Sequence, residues 1–256
     1  MKFLAILLLS ITFLTISGEA IGQEYVYFGN TNLVGTGARI EGKRNGSWKV
    51  YQRKEVEDNP RVANLEVPLD DLEQNFDLRV PFYRIDLRDN LPDGVMEEFF
   101  VGGQVKKIVN YKAGLLDGDF FEFNEEGELL LSGNYEQGQR SGDWVVYRSD
   151  GTKKSEYTYR NNLLEEFALS YYPSGKLAER IPFEKGVVNG FYESFFPDGK
   201  VQQSLEFVDG LEGGPLKQYY ADGTLALSCS FFKGLLEGNW EKFSTSGQLE
   251  AQGAYR

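Results

Sequence analysis

The sequence predicts an all-β protein, an elongated single-layer antiparallel sheet of stacked β-hairpins. Three observations carry that prediction. First, across residues 91–256 one frame returns every 24 residues with no insertion or deletion, marked by Gly103, Gly127, Gly151, Gly175, Gly199, Gly223 and Gly247. A fixed period of this size is the mark of a repeat architecture. Second, two further columns are aromatic throughout: Phe99, Phe123, Tyr147, Tyr171, Phe195, Tyr219 and Phe243, then Tyr111, Tyr135, Tyr159, Phe183, Phe207, Phe231 and Tyr255. Third, apolar residues alternate within a unit, as in Leu129, Leu131 and Tyr135, and period two means a half-buried strand rather than a helix.

Taken in order, residues 1–22 read as a targeting segment. Lys2 supplies the positive start, residues 3–16 form an apolar run, and Ala20-Ile21-Gly22 precede Gln23. That is the pattern of a secretory signal peptide, too short for a membrane span. No cysteine stands near the cleavage site, so a lipoprotein anchor is not expected, and the mature chain is expected to start near Gln23 and to be exported, periplasmic or extracellular. Residues 33–51 already carry the frame, since they align with residues 129–147 and include the pair Trp48 and Tyr51. The frame is then lost over residues 55–79, where eight acidic residues face two basic ones, about half of the net charge of −12. Pro60 and Pro68 argue against a regular element there, while residues 70–76 suit a short helix. A strand resumes at residues 80–83, and the perfect repeats begin at Leu91. Residues 23–256 thus form one β-repeat domain with a non-repeat acidic insertion at about 55–79.

One unit, residues 119–142, reads as a strand (119–123), a turn (124–127), a second strand (128–136) and a second turn (137–142). Asp-Gly pairs at 150–151, 198–199 and 222–223 sit between apolar runs, as hairpin loops require. The column Gly114, Gly138, Gly186, Gly210 and Gly234 becomes Asn162 in one copy; asparagine is the side chain that best tolerates positive φ, so a left-handed backbone is expected there. The column Gly94, Gly118, Gly142, Gly190, Gly214 and Gly238 is interrupted by Glu166 and is expected to be less strict. The aromatic pairs Trp144/Tyr147 and Trp240/Phe243 are spaced i, i+3, which a regular strand sends to opposite faces. Either a bulge re-aims one ring or both faces are partly covered. With about 18 strands at roughly 4.8 Å spacing, such a sheet would run on the order of 80 Å and twist right-handedly. Its last strand, 248–255, is an edge, expected to be exposed and short or paired with a second chain.

The pattern Gly-x-Trp/Phe-x-x-Tyr/Phe, a glycine turn, and an aromatic followed by x-x-Gly resembles the MORN-type repeats, and more closely the bacterial variant found in the YwqK family. The resemblance covers residues 91–256 and part of 25–51, and leaves out 55–79. It implies a single-layer sheet of stacked hairpins used as a scaffold or binding surface. Members of that family are often labelled antitoxins, a label that brings no catalytic residues with it.

The chain contains no histidine, which removes His-dependent triads, His general bases and His-containing zinc sites. Its sole cysteine, Cys229, stands in the column of Val109, Ile181 and Leu205 and reads as a packed core thiol. Paired carboxylates such as Glu97-Glu98, Glu125-Glu126 and Asp70-Asp71 could serve a glycosidase, but solvated turns account for nearly all of them. The Asp-Gly turns lack the oxygen-ligand density of a calcium loop, so neither a metal nor a cofactor is expected. A net charge of −12 counts against nucleic acid and anionic membranes. Two readings follow. One is an exported, non-enzymatic scaffold binding a protein or glycan through its sheet face; the other is a hydrolase with its carboxylates on the acidic insertion. The first is favoured. The expected binding stripe is Tyr172, Phe196 and Tyr220, a second aromatic after the invariant one in three consecutive repeats. Alternation would place it on the face opposite Tyr171, Phe195 and Tyr219, where replacing it would cost little stability.

Overall fold

The computed structural model describes residues 15–16, 24–27, 33–40, 43–52 and 81–255. The acidic insertion, and the leader apart from Thr15–Ile16, lie outside them. The described elements are all strands: β1 (Thr15–Ile16), β2 (Glu24–Tyr27), β3 (Leu33–Ile40), β4 (Lys43–Gln52), β5 (Tyr83–Arg88), β6 (Leu91–Phe99), β7 (Val105–Lys112), β8 (Leu115–Phe123), β9 (Leu129–Glu136), β10 (Gln139–Tyr147), β11 (Lys153–Arg160), β12 (Leu163–Tyr171), β13 (Leu177–Glu184), β14 (Val187–Val188), β15 (Gly190–Phe195), β16 (Val201–Val208), β17 (Leu211–Tyr219), β18 (Leu225–Phe232), β19 (Leu235–Phe243) and β20 (Leu249–Tyr255). They fall in two compact units, residues 1–128 and 129–256. Within the first, β1 to β8 pair antiparallel in chain order. Within the second, β9 to β20 do the same, with β13 pairing both β14 and β15. The all-β antiparallel hairpin architecture is as the repeat frame predicts.

Two kinds of turn alternate. The tight one has positive φ at both central residues: Ala113 (49°) and Gly114 (84°), Gln137 (49°) and Gly138 (81°), Asn161 (52°) and Asn162 (67°). That is the primed two-residue loop whose twist matches the flanking strands. Asn162 therefore adopts the left-handed backbone expected of its column. The other turn begins at the residue after the invariant aromatic. At Arg148 its N–H donates to the Thr152 carbonyl at 2.8 Å, and the Gly151 N–H donates back to the Arg148 carbonyl at 2.9 Å. The Asp of the Asp-Gly pair fixes it from the side: Asp150 accepts from the Thr152 N–H at 2.8 Å, and Asp198 and Asp222 do likewise at 3.0 and 2.8 Å. These contacts hold all three carboxyls below their ordinary range, with the Thr152 hydroxyl leading at Asp150 and backbone donors leading at Asp198 and Asp222.

The second glycine column is not a turn. Tyr111 pairs with Leu116 and Val109 with Phe120, so β8 takes four steps where β7 takes two, and Gly118 lies in that bulge with φ 111°. The same irregularity recurs in β10, β12, β17 and β19. Residues 139–142 thus belong to β10 rather than to a turn. Glu166 has φ 61°, so the backbone demand persists where glycine is lost, against the expectation of a lax column. Gly214 alone in that column is absent from the positive-φ residues, and there a Cβ would lie 2.0 Å from the Glu206 carboxylate.

One row of side chains runs across the strands and forms the core. In the first unit Trp48 pairs with Ile85, Ile85 with Met96, Met96 with Val109 and Val109 with Phe120. Trp48, Val50, Tyr83, Ile85 and Leu87 form a buried cluster with Trp48 at 0% exposure. In the second unit Trp144, Tyr157, Ala168 and Ile181 follow one another, then Tyr192 and Leu205, then Leu216, Cys229 and, beside it, Trp240. Large rings face small neighbours. A Cβ on Gly37 would lie 2.5 Å from the Trp48 ring, one on Gly133 2.3 Å from Trp144 and one on Gly253 2.7 Å from Trp240, while Ala168 sits between Tyr157 and Ile181. Cys229 is a free, buried thiol that burial pushes up from its ordinary pKa, as its column predicts. Arg140 lies over the Trp144 ring at 5.0 Å and over Tyr159 at 5.3 Å, and the rings of Tyr135 and Trp144 meet edge to face at 5.1 Å.

The register also locates the break in the frame. Trp144 pairs with Tyr157, 13 positions on, whereas its counterpart Trp48 pairs with Ile85, 37 positions on. The difference is one 24-residue period. The chain between β4 and β5 therefore exceeds an ordinary turn by one repeat length, and the pairing resumes in phase.

Candidate functional site

Strand alternation gives the sheet two unlike faces. The ladder face carries the row of Trp144 and the aromatics Tyr135 and Tyr159. On the other face, the residues next to that row are mostly polar or charged, Glu156, Arg180, Glu193, Ser204, Lys217 and Glu241, with the apolar Val145 and Leu169 among them. Arg180 is ion-paired with Glu193, and Lys153 with Glu156. The invariant aromatic column lies on this charged face. The Tyr171 hydroxyl donates to Glu156, and that of Tyr147 lies 3.3 Å from the Ser132 hydroxyl. Burial and the Glu156 carboxylate together push Tyr171 up to about 12. The i, i+3 pairs thus point to opposite faces, and both faces carry rings.

The charged face opens into a trough of about 710 Å³ over β15, β16 and β17. Glu193 pairs with Ser204 and Ser204 with Lys217, so the small serine is the floor between an acidic and a basic bank. Equivalent positions in other repeats hold Ile108, Glu156 and Arg180, and serine again at Ser132 and Ser228. Phe191, Val201, Pro215 and Tyr219 supply the apolar wall. Phe191 is 48% exposed, and Phe167 of the preceding repeat is 39% exposed with Arg180 5.2 Å above its ring. Lys200 at the margin is committed, 3.3 Å from Asp198 and donating to the Ala221 carbonyl at 3.0 Å. Lys217 is exposed and makes no ion pair among the described residues. Glu206, opposite Phe191, lies against Gly214. A second depression of about 440 Å³ in the first unit is lined by Arg88, Asp93, Asn110, Asp117 and Asp119; there Arg88 is spent on Asp93 at 2.8 Å.

The expected stripe stands elsewhere. Tyr172, Phe196 and Tyr220 are half-buried and open the turns that contain Gly175, Gly199 and Gly223: their N–H groups donate to the carbonyls of Lys176, Lys200 and Thr224, each at 2.8 Å. The Tyr172 hydroxyl donates to the Phe195 carbonyl at 2.7 Å and that of Tyr220 to the Phe243 carbonyl at 2.8 Å. Arg148, in the same column, donates to the Tyr171 carbonyl. Each of these side chains reaches 23 positions ahead and ties one repeat to the next; Phe196 has no donor with which to do so. Sequence reasoning missed Phe191, Ser204 and Lys217. The column of Ser204 gave no signal, since Ser132 and Ser228 stand at the same position in other repeats.

A family model described as a MORN repeat variant matches residues 168–185. The chain carries a MORN-type repeat. That match spans the end of β12, its Ser174-Gly175 turn and all of β13, and the 24-residue frame extends on both sides of it. No curated protein matches the chain.

Proposed function

We propose that this protein is an exported, non-enzymatic repeat scaffold of the YwqK-like variety that binds a protein or glycan through its sheet face. The observation that carries the reading is the trough over β15 to β17. The ladder face buries Trp144, Leu205, Leu216 and Cys229, whereas the charged face keeps Phe191 exposed on the wall of an open concavity. Exposed aromatics beside a cleft are the usual material of a binding site, because each offers a large rigid contact area. Export rests on the leader at residues 1–22, which supports a partner in the envelope or outside it.

Deleting residues 55–78 tests the reading. The deletion removes 24 positions and restores an ordinary turn length between β4 and β5, so the mature protein should fold and keep its partner in a pull-down from its native envelope. Loss of the partner, or a hydrolytic turnover that disappears with the segment, would contradict it.

A further inference from the structure

We propose that the trough over β15 to β17 binds an anionic sugar, the uronate unit of an oligosaccharide; this rests on the sheet-face reading above and names its ligand class. The charges carry the first step. Glu193 and Lys217 flank Ser204 from two strands apart, about 10 Å between backbones, and no ion pair joins them among the described residues. Glu193 is taken by Arg180 on its outer side. Lys217 is left as the uncommitted charge on the trough, so the site offers one cation to an anionic group.

The apolar wall carries the second step. Phe191 and Tyr219 line the same concavity as Ser204 and Lys217. A pyranose presents a flat C–H face and a rim of hydroxyls, which matches an aromatic wall beside a serine hydroxyl and a carboxylate. A carboxylate on that ring meets Lys217. A cleft of about 710 Å³ lies within the roughly 300–1,000 Å³ of small-ligand sites.

An acidic peptide fits less well. Extended peptides add to sheets by backbone hydrogen bonds at a free edge, and β16 is paired on both sides, with β15 and with β17. A long polyanion would also run from the trough onto a protein of net charge −12, whereas one or two sugar units stay over Lys217.

The experiment is isothermal titration of the full mature chain with a galacturonic acid trisaccharide, beside the neutral galactose trisaccharide of the same linkage and a tri-glutamate peptide. The uronate should bind, and the neutral sugar and peptide should each bind about tenfold more weakly or less. Lys217→Gln should weaken uronate binding about tenfold and Lys217→Arg should restore it; Phe191→Ala should weaken both sugars. Both positions are exposed, so circular dichroism should show unchanged strand content. No uronate binding at about 10 mM, or binding untouched by both Lys217→Gln and Phe191→Ala, overturns the proposal. Equal binding of the neutral sugar overturns the anionic assignment and leaves sheet-face binding standing. Tighter binding of the peptide transfers the site to a protein ligand. An envelope partner still captured by a chain that binds no uronate would separate failure of this inference from failure of the scaffold reading.

Discussion

The same strands look different from their two sides. Around Trp144 on the ladder face, Gly133, Tyr135, Tyr159 and Arg140 close over the ring and leave it 3% exposed. Over Ser204 on the charged face, the neighbours are an ion-paired Glu193, an uncommitted Lys217 and a half-exposed Phe191. Both regions obey the 24-residue frame. What differs is side-chain volume: on the ladder face large and small residues alternate across strands until the gap is filled, and on the charged face a small residue between two long ones leaves it open. A single-layer repeat can therefore devote one face to stability and keep the other for contact.

The comparison breaks first at the tryptophan. Trp144→Ala should lose about 3–5 kcal/mol of unfolding free energy by urea titration, because its ring occupies the space Gly133 leaves. A loss below about 1 kcal/mol would mean the ladder does not hold the second unit.

The next largest effect concerns the stripe. The triple change Tyr172→Ser, Phe196→Ser, Tyr220→Ser removes two hydrogen bonds between adjacent repeats as well as three half-buried rings, and should cost about 2–4 kcal/mol. A triple variant with an unchanged melting temperature would return those residues to a purely external role.

The two glycine columns sharpen the picture. Gly118→Val should destabilise at least as much as Gly138→Val, each by about 1–2 kcal/mol, since Gly118 combines φ 111° with a Cβ position 3.0 Å from Asn110. Markedly greater tolerance at Gly118 would show that the bulge can relax.

The smallest effect is acidic. Asp150, Asp198 and Asp222 have depressed pKa values in the folded chain. Their contribution is therefore complete above the ordinary aspartate range and is lost as pH falls through the folded values. Amide exchange at Thr152, Lys200 and Thr224, corrected for its intrinsic pH dependence, should show protection falling on acidification; constant protection would remove the Asp-capped turn from the account.

Much of this was legible in the residues. Glycine and aromatic columns specify hairpins because turn chemistry and period two are local properties, and Asn162 revealed a left-handed position by standing where other copies carry glycine. Cys229 was legible as core from the apolar company of its column. The bulge was not, since a glycine at positive φ looks the same whether it ends a strand or kinks one, and only the cross-strand register separates Gly118 from Gly138. The trough was not legible either. Its depth depends on Ser204 lying between Glu193 and Lys217, residues 11 and 13 positions away, and that juxtaposition exists only once the pairing is known. Tyr172 and Tyr220 drew notice as rings, while their structural work is done by hydroxyls reaching carbonyls 23 positions ahead.

The division of labour between the faces can be measured with one matched pair. Leu216 is buried in the ladder cluster with Leu205 and Cys229, and Phe191 lies two strands away in the same sheet on the other face. In parallel urea titrations Leu216→Ala should lose about 2–5 kcal/mol, whereas Phe191→Ala should stay within about 0.5–1 kcal/mol of the parent. Equal losses from the two substitutions would show that the charged face is core, and would contradict the account at its centre.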